Sequence, residues 1–526
     1  MVVAQEPLAA DAGLEVLREG GNAVDAAVAV AFTLAVTHPA AGKLGGGGFL
    51  LARFAEGRTA FIDFRERAPK RAHRKLYLDS SGNTTGESIT GWRACGVPGT
   101  VRGLELAHQK YGRASWARLL APAIRLAKEG FPVSWHLADA LRRAEALAAF
   151  EESRRIFLRN GNFYQPGELL RQPELAATLA RIARHGAADF YEGETARRLA
   201  EEMQRHGGLI TLEDLRDYRA VERPVLRGFY RGYEILTAPP PSSGGVGLLQ
   251  MLGMLEGSGY ERAGHGAAAT IHHVAEVMRR FYADRSELIA DPDYFEVPIR
   301  RLLDSGYLAR RRRSIDPERA TPSEQVRPGA EMEPESGETT HLSIVDPEGN
   351  AVALTYTING AFGSGVTAPG LGFLLNNEMD DFSVKPGTPN MFGLIQGEAN
   401  AIEPGKRPLS SMTPTIVVRD GKLFLVLGAP GGSRIINGVL QVLLNVVDFT
   451  MNIQDAVDRP RFHHQWKPDT LFVEDGFSPD TLELLGRRGH RLSRIENVAL
   501  VEAVRAGEGW LEGATDRRGH GKAAGY

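Results

Sequence analysis

Thr339 lies where a polar segment meets a predicted strand, and this position could give its hydroxyl nucleophilic chemistry. Residues 321–338 are rich in Pro, Glu, Ser and Gly, and from Thr340 the sequence alternates as in a half-buried strand. Cleavage before Thr339 would place its new α-amine beside its own hydroxyl, where it could serve as the base that a weak nucleophile needs. A β-branched residue also favours strand starts for steric reasons, so a purely structural role is the alternative.

Two motifs upstream and four downstream of this junction complete an ordered set. The set comprises residues 20–27, 63–66, 338–341, 355–359, 374–382, 407–415 and 430–433. In these residue types and this order it closely resembles the γ-glutamyltranspeptidase (glutathione hydrolase) family. The resemblance extends over essentially the whole chain, from about Met1 to Tyr526, and its motifs are long enough to be specific.

The resemblance implies an α+β fold, a four-layer αββα sandwich of the N-terminal-nucleophile hydrolase type, formed jointly by both halves of the chain. It also implies autocleavage between Glu338 and Thr339. The products would be a helix-rich large subunit, 1–338, and a strand-rich small subunit, 339–526, which remain one structural unit as a heterodimer. The change from helical to strand-rich patterns would by itself also fit two separate domains.

The catalytic roles come from the same resemblance. Thr339 matches the nucleophile of both self-cleavage and turnover, and Thr357 matches the residue that hydrogen-bonds its hydroxyl. The backbone N–H groups of Gly431 and Gly432 match the pair that binds the tetrahedral oxyanion. Without the family pattern, Thr357 would be an ordinary strand residue and the Pro-Gly-Gly segment a plain turn. The implied substrates are glutathione and other γ-glutamyl compounds, with water or an amino acid or dipeptide as acceptor.

A γ-glutamyl donor carries an α-carboxylate and an α-ammonium, so its pocket must present both signs of charge. Arg65 can bind a carboxylate through two parallel hydrogen bonds. The resemblance adds Ser410 and Ser411 as hydroxyl donors to the carboxylate. It also adds polar partners of the ammonium, which are Asn359, Glu378 and Asp381. Taken singly, each would more often be a solvated surface residue. Many bacterial members carry Gln at the position of Glu378, so the glutamate of this chain adds a negative charge near the ammonium.

Residues 389–400 match a lid loop that covers the site in some bacterial members of the family. Those members usually carry Tyr where this chain has Phe392, so a gating hydrogen bond from a phenol is absent here. A lid of this length argues against a poly-γ-glutamate depolymerase, because a polymeric donor needs an open groove.

Two further alternatives concern the donor and the class of protein. A glutaryl-cephalosporin acylase of the same fold would act on a group that lacks the α-amine, so Glu378 and Asp381 argue against it. A catalytically inactive binding or scaffold protein belongs to a different class. Such a protein would not cleave its own chain, whereas intact Thr339, Thr357 and the glycine pair favour an enzyme.

Local patterns predict the elements that must position these residues. A helix over 8–18 ends at two glycines, and Asn22 caps a buried helix that ends before Pro39. The glycine run 45–48 lacks phosphate-loop spacing and indicates close backbone packing. Strands are predicted over 49–54, 59–64, 340–345, 351–357, 415–419 and 423–427, and helices over 115–128, 174–184, 246–255 and 271–288.

Composition and short motifs exclude several other classes of protein function. A net charge of −3 gives no electrostatic basis for binding nucleic acid. No segment approaches the ~20 apolar residues of a membrane span, and the single cysteine, Cys95, excludes an internal disulfide. The histidine pairs 272–273 and 463–464 lack metal-ligand spacing, so packing or surface polarity is favoured for them, and neither a metal nor a cofactor is implied.

The start of the chain lacks the charged segment and apolar stretch of a secretory leader. Residues 1–4 instead resemble an internal stretch of the family, just after the usual leader. The family resemblance implies a periplasmic or secreted enzyme, and the absent leader leaves the cytoplasm as the alternative.

Overall fold

The computed structural model describes residues 1–41, 44–326 and 339–526. These residues form four stacked layers, in which two large antiparallel sheets lie between two layers of helices. The predicted four-layer α+β sandwich is confirmed. The predicted scissile residue Glu338 and most of the polar segment before it lie outside the described residues.

The first sheet combines strands from both predicted subunits. Its strands, each antiparallel to the next, are in spatial order Lys522–Ala524, Val2–Ala4, Thr339–Val345, Ala351–Thr357, Gly47–Arg53, Thr59–Asp63 and Val221–Arg223. The two strands that follow residue 339 lie at its centre, between strands from the first 326 residues. The two parts of the chain therefore share one sheet and are not separate domains.

The second sheet packs on the first and also contains strands from both parts of the chain. Its antiparallel strands are, in order, Trp510–Ala514, Glu502–Gly507, Lys422–Gly428, Thr415–Arg419, Tyr233–Thr237 and Leu226–Tyr230. Short strands outside these sheets group as Phe462–His463, Leu471–Val473 and Leu492–Arg494, as Phe131–Pro132 with Leu169–Leu170, and as Leu158–Arg159 with Asn162–Phe163.

Helices cover the outer faces of both sheets. On the side of the first sheet they are Pro7–Arg18, Ala23–Thr37, Thr100–Tyr111, Trp116–Glu129, Trp135–Arg143, Glu145–Ala149, Glu151–Phe157, Pro173–His185, Ala187–Tyr191, Glu194–Arg205 and Leu212–Asp217. On the side of the second sheet they are Gly244–Leu255, Ala268–Leu288, Ile299–Leu302, Ser305–Arg313, Ile435–Val447, Ile453–Asp458 and Pro479–Arg487. Short 3₁₀ helices at Glu378–Asp381 and Gly432–Arg434 carry predicted site residues.

The strand Thr339–Val345 is buried along its whole length, which corrects the half-buried strand predicted from its alternation. Side chains alternate between the two faces of a strand. Leu342 and Ile344 pack in the core shared with the first helical layer, whereas Val345 packs in the core between the two sheets. The strand is central in its sheet and the sheet is covered on both faces, so neither face of the strand meets solvent.

The polar residues that produced the alternation are paired inside the protein. His341 Nδ1 lies 2.7 Å from Thr355 Oγ1 and its Nε2 lies 3.0 Å from Ser343 Oγ. Burial lowers the pKa of His341 to about 3, so the ring is neutral at physiological pH. The prediction failed because a hydrogen-bonded polar network in a core has the same sequence pattern as a solvated face.

The glycine run 45–48 confirms the prediction of close backbone packing. A Cβ atom on Gly46 would lie 1.9 Å from the carbonyl oxygen of Thr357, and one on Gly48 would lie 2.4 Å from that of Thr355. Both distances are far below van der Waals contact. Glycine is therefore required for this strand to approach its neighbour.

The helix Ala23–Thr37 has every residue buried and supports the first sheet from behind. Its predicted cap is confirmed: Asn22 Oδ1 accepts hydrogen bonds of 3.0 Å from the N–H groups of Val24 and Asp25. In return, the Asp25 carboxylate accepts one of 3.0 Å from the N–H of Asn22. This reciprocal arrangement is a capping box, which satisfies N–H groups that the helix itself cannot pair.

We expect Asn22→Ala to lower the free energy of unfolding by about 1 kcal/mol, because it leaves these N–H groups without an acceptor inside the protein. Asn22→Ser keeps a capping oxygen and should lose less. The measurement is the urea midpoint of each variant. Equal midpoints for the Ala and Ser variants would show that the cap contributes nothing.

Candidate active site

Thr339 begins its strand directly opposite Thr357. The antiparallel register pairs these two residues, and pairs Thr357 in turn with Gly47 on the next strand. The Thr339 hydroxyl donates to Thr357 Oγ1 at 3.4 Å, and the N–H of Asn359 donates to the same oxygen at 2.7 Å. Strand register thus places a second hydroxyl beside the predicted nucleophile.

A small, partly open cavity lies at Thr339. Nearly all the predicted site residues line it, although they come from distant parts of the chain: Arg65, Thr357, Asn359, Glu378, Asp381, Phe392, Ser410, Ser411 and Gly432. Gly431 is the exception, because it lines a neighbouring cleft instead. Arg285 lines the cavity as well, and the sequence analysis did not predict it.

The glycine pair turns the chain from the strand Lys422–Gly428 into the helix Ile435–Val447. Gly431 has φ of 136° and Gly432 has φ of 56°, a region that favours glycine. A Cβ on Gly432 would lie 2.9 Å from Phe392 Cδ1, so the lid residue packs on this turn. N–H groups at the start of a helix point outward without intrahelical partners and favour a developing negative charge.

Arg65 lies at the centre of a buried ionic cluster. Its Nη1 contacts Glu378 Oε1 and lies 3.4 Å from Glu66 Oε2, while its Nη2 lies 2.5 Å from Asp381 Oδ2. Its Nε donates to the carbonyl of Pro408 at 3.2 Å. The predicted carboxylate-binding fork therefore faces the two acids that were predicted to bind the ammonium.

Three carboxyl groups around one guanidinium cannot all ionise easily in a buried site. Burial raises the pKa of Glu66 to about 7, against the opposing effect of Arg65. Burial likewise raises the pKa of Glu378 well above its usual value, and raises that of Asp381. The cluster therefore retains protons to higher pH than free carboxyl groups do.

The predicted lid is held closed by backbone and amide contacts. The N–H of Met391 donates to Asp380 Oδ2 at 2.7 Å, and Asn390 Nδ2 donates to Asp381 Oδ1 at 3.2 Å. Gln465 Nε2 donates to the carbonyl of Phe392 at 3.2 Å. The phenylalanine thus needs no phenol to stay buried over the site.

The two predicted serines are held by the large part of the chain. The N–H of Ser410 donates to the carbonyl of Pro241 at 2.9 Å. Ser411 Oγ accepts from Arg285 Nη2 at 3.2 Å, which leaves its own hydrogen able to donate to a ligand. A sequence signal for Arg285 did exist: it continues the apolar stripe of Val274, Met278 and Phe281 at helical spacing. A charged residue on a buried stripe suggests a specific partner.

Other chemistry-bearing residues lie apart from the cavity. Burial raises the pKa of the Cys95 thiol to about 12, which is opposite to the needs of a catalytic thiolate. His272 Nδ1 lies 2.8 Å from His490 Nε2, and His463 Nδ1 lies 2.7 Å from Asn437 Nδ2. Across residues 1–41, 44–326 and 339–526, no three His, Cys, Asp or Glu side chains are grouped to hold a metal ion. Over the same ranges, no helix has the length and apolar character needed to cross a membrane.

A threonine that begins a central strand of an αββα sandwich, beside a cavity of mixed charge, defines the class of N-terminal-nucleophile hydrolases. The family model described as Gamma-glutamyltranspeptidase matches residues 9–526. The glutathione hydrolase proenzyme of Escherichia coli (strain K12) is 49% identical over 522 residues, which cover 98% of this chain and 90% of that protein. The chain belongs to the γ-glutamyltranspeptidase family.

Relatives with other names share the sequence pattern and the fold. The acylase ACY 1 proenzyme of Pseudomonas sp. (strain V22) is 38% identical over 508 residues, covering 95% of this chain and 88% of that protein. The crystal structure of a cephalosporin acylase from Bacillus halodurans superposes with a TM-score of 0.89 at 28% identity, over 100% of this chain and 95% of that one. The crystal structure of a Helicobacter pylori γ-glutamyltranspeptidase superposes with a TM-score of 0.61 at 43% identity, over 62% of this chain and 94% of that one.

The ionic cluster predicts a pH-dependent stability. Because the folded-state pKa of Glu66 is raised from 4.5 to about 7, its protonated form stabilises the fold below pH 4.5, and this stability is lost as pH rises through 7. Glu66→Gln cannot ionise. We expect it to gain roughly 3 kcal/mol over the native chain at pH 8 and almost nothing at pH 4.5.

The measurement is the melting temperature of both proteins at the two pH values. Glu56→Gln removes the same charge from an exposed position and serves as the control. A melting-temperature difference that does not change between pH 4.5 and pH 8 would contradict the assigned burial effect.

Proposed function

We propose that this protein is a self-processing γ-glutamyltransferase and glutathione hydrolase. It cleaves the γ-glutamyl amide bond of glutathione and its conjugates and passes the acyl group to water, an amino acid or a dipeptide. One observation carries the proposal: Thr339 lines a small cavity together with two arginines and two acidic residues, Arg65, Arg285, Glu378 and Asp381. A γ-glutamyl group, with a carboxylate and an ammonium on one carbon, matches both charges.

Processing would use the same hydroxyl. Thr339 Oγ attacks the carbonyl carbon of Glu338, the bond from that carbon to the Thr339 nitrogen breaks, and an ester forms. The nitrogen takes up a proton and becomes a free amine. Water then hydrolyses the ester and releases the Glu338 carboxylate, so the chain ends as fragments 1–338 and 339–526.

Turnover repeats the chemistry on the donor. The free amine of Thr339 accepts the proton of its hydroxyl as the oxygen attacks the γ-carbonyl, and the proton passes to the departing amine. The N–H groups of Gly431 and Gly432 bind the oxyanion, and one such donor is typically worth ~3 kcal/mol of transition-state stabilisation. Thr357 orients the nucleophile through the hydroxyl contact at 3.4 Å. The resulting ester is released by water or by the acceptor amine.

The processed enzyme would be a heterodimer of the two fragments. Each of the two large sheets contains strands of both fragments, so the fragments would remain associated. The solved Helicobacter pylori chain matches 62% of this chain over 94% of its own length. Residues 1–338 of the 526 make up about 64% of the chain, the fraction expected of a released large subunit. Family relationship favours the periplasm or the cell exterior as its location.

An acylase acting on glutaryl groups is the second candidate, because acylases share the fold. Glu378 and Asp381 distinguish the two donors. A glutaryl group lacks the ammonium that these carboxylates would bind. One guanidinium, that of Arg65, is shared among three buried carboxyl groups, so a second cation beside them is favourable. A polymeric donor fits less well, since Phe392 packs on Gly432 and closes that side of the cavity.

Thr339→Ala should remain a single chain of 57.2 kDa and be inactive, because it removes the attacking oxygen. Thr339→Ser keeps a hydroxyl and should still be cut, though more slowly. A denaturing gel and hydrolysis of a γ-glutamyl anilide, with and without glycylglycine, measure both effects. Two fragments from the Ala variant, divided at residue 339, would rule out self-processing by this residue.

Asp381→Asn should lower kcat/KM for a γ-glutamyl anilide by roughly thirty-fold or more, since it removes a buried charge that the ammonium needs. The kcat/KM for a glutaryl anilide should fall much less. Processing should survive, because the cleaved peptide carries no ammonium there. Asp380→Asn is the matched control, since Asp380 contacts the lid and not the cavity. An unchanged ratio between the two donors in Asp381→Asn would favour the acylase.

A further inference from the structure

Arg285 is a buried cation in the wall of the active-site cavity. It lies on the helix Ala268–Leu288 and is only 1% exposed. Its Nε donates to Ser243 Oγ at 2.9 Å, and its Nη2 donates to Ser411 Oγ at 3.2 Å. Among the residues that the structure describes, its Nη1 has no hydrogen-bond partner and no carboxylate forms a salt bridge with it.

This environment contrasts with that of Arg65, the other cation of the cavity. Glu66, Glu378 and Asp381 all lie within salt-bridge distance of Arg65. Arg285 has only neutral hydroxyl partners. Burial lowers the pKa of Arg285 to about 10, with Asp381 opposing the effect, so the guanidinium stays charged at neutral pH. A buried charge without a counter-ion is unfavourable, and it becomes favourable when an anion binds beside it.

The hydrogen bonds of Arg285 to the protein do not require its charge. A neutral side chain such as Gln could donate to Ser243 and Ser411. The charge and the unpartnered Nη1 are therefore the features that remain without an explanation within the protein. Arg285 lines the cavity beside Ser411, where a donor carboxylate would meet the serine hydroxyls.

We propose that Arg285 is a donor-binding residue that binds the α-carboxylate, through Nη1 and through the Ser411 hydroxyl that it holds. The inference rests on the proposed function and refines it. The α-carboxylate is then recognised from two sides, and Arg285 provides a cation that forms no salt bridge with any described carboxylate. The acids around Arg65 remain directed at the ammonium. Selection for a carboxylate at this end of the donor depends on Arg285.

Competitive inhibition of γ-glutamyl-anilide hydrolysis by three small acids tests this assignment. Glutamate carries both the carboxylate and the amine at the recognised end, glutarate carries only the carboxylate, and 4-aminobutyrate carries only the amine. In Arg285→Gln we expect the inhibition constants of glutamate and glutarate to rise by the same factor, roughly thirty-fold or more. The constant for 4-aminobutyrate should stay unchanged. In Asp381→Asn the inhibition constant of 4-aminobutyrate should rise, whereas that of glutarate should stay unchanged.

Arg285→Lys separates charge from packing. It retains a cation but not the planar fork, so it should weaken the same two inhibitors by a smaller factor. Equal weakening of all three inhibitors, or none, in both variants overturns the proposal. So does failure of both variants to yield processed protein, which would make Arg285 a structural residue. If the native enzyme itself neither hydrolyses the anilide nor is inhibited by glutamate, the proposed function fails instead.

Discussion

The register of three central strands is the constraint on which the site depends. Thr339, Thr357 and Gly47 lie side by side across the first sheet, and the sheet is covered on both faces. A shift of one residue would turn every side chain of a strand to the opposite face, so burial on both sides fixes the pairing strongly. The absence of a side chain on Gly47 also leaves space for Glu66, whose Oε2 would lie 2.7 Å from a Cβ there. Backbone geometry therefore positions both the proposed nucleophile, Thr339, and the first carboxyl group of the ionic cluster, Glu66.

The cavity combines this rigid frame with an unusual concentration of buried charge. Two guanidinium groups and three carboxyl groups lie within or behind its wall, and burial perturbs the carboxyl pKa values in the direction of the neutral form. Such groups are unfavourable in a closed protein unless they are paired. A ligand that carries one charge of each sign can pair with groups that the protein leaves incompletely matched. The proposed recognition of a zwitterionic donor therefore follows from the same arrangement of charges that shifts the carboxyl pKa values.

The fold alone does not choose the donor. Proteins named as glutathione hydrolases and as acylases share this sandwich and much of this sequence. A hydroxyl at the start of a central strand and a glycine turn beside it suit any acyl transfer through an ester. The charged side chains of the cavity wall in this chain are Glu378, Asp381, Arg65 and Arg285, and the proposed discrimination between donors rests on them.

The sequence by itself determined the local elements and the family. The cap at Asn22 and the strand Ala351–Thr357 follow from side-chain chemistry within a few residues, and ordered motifs predicted most of the residues that line the cavity. Only the tertiary structure decided that the strand after Thr339 is buried on both faces, that Arg65 faces its own acids, and that Arg285 completes the wall. Those facts depend on packing between segments more than a hundred residues apart, and periodicity along one segment cannot encode which partner covers each face.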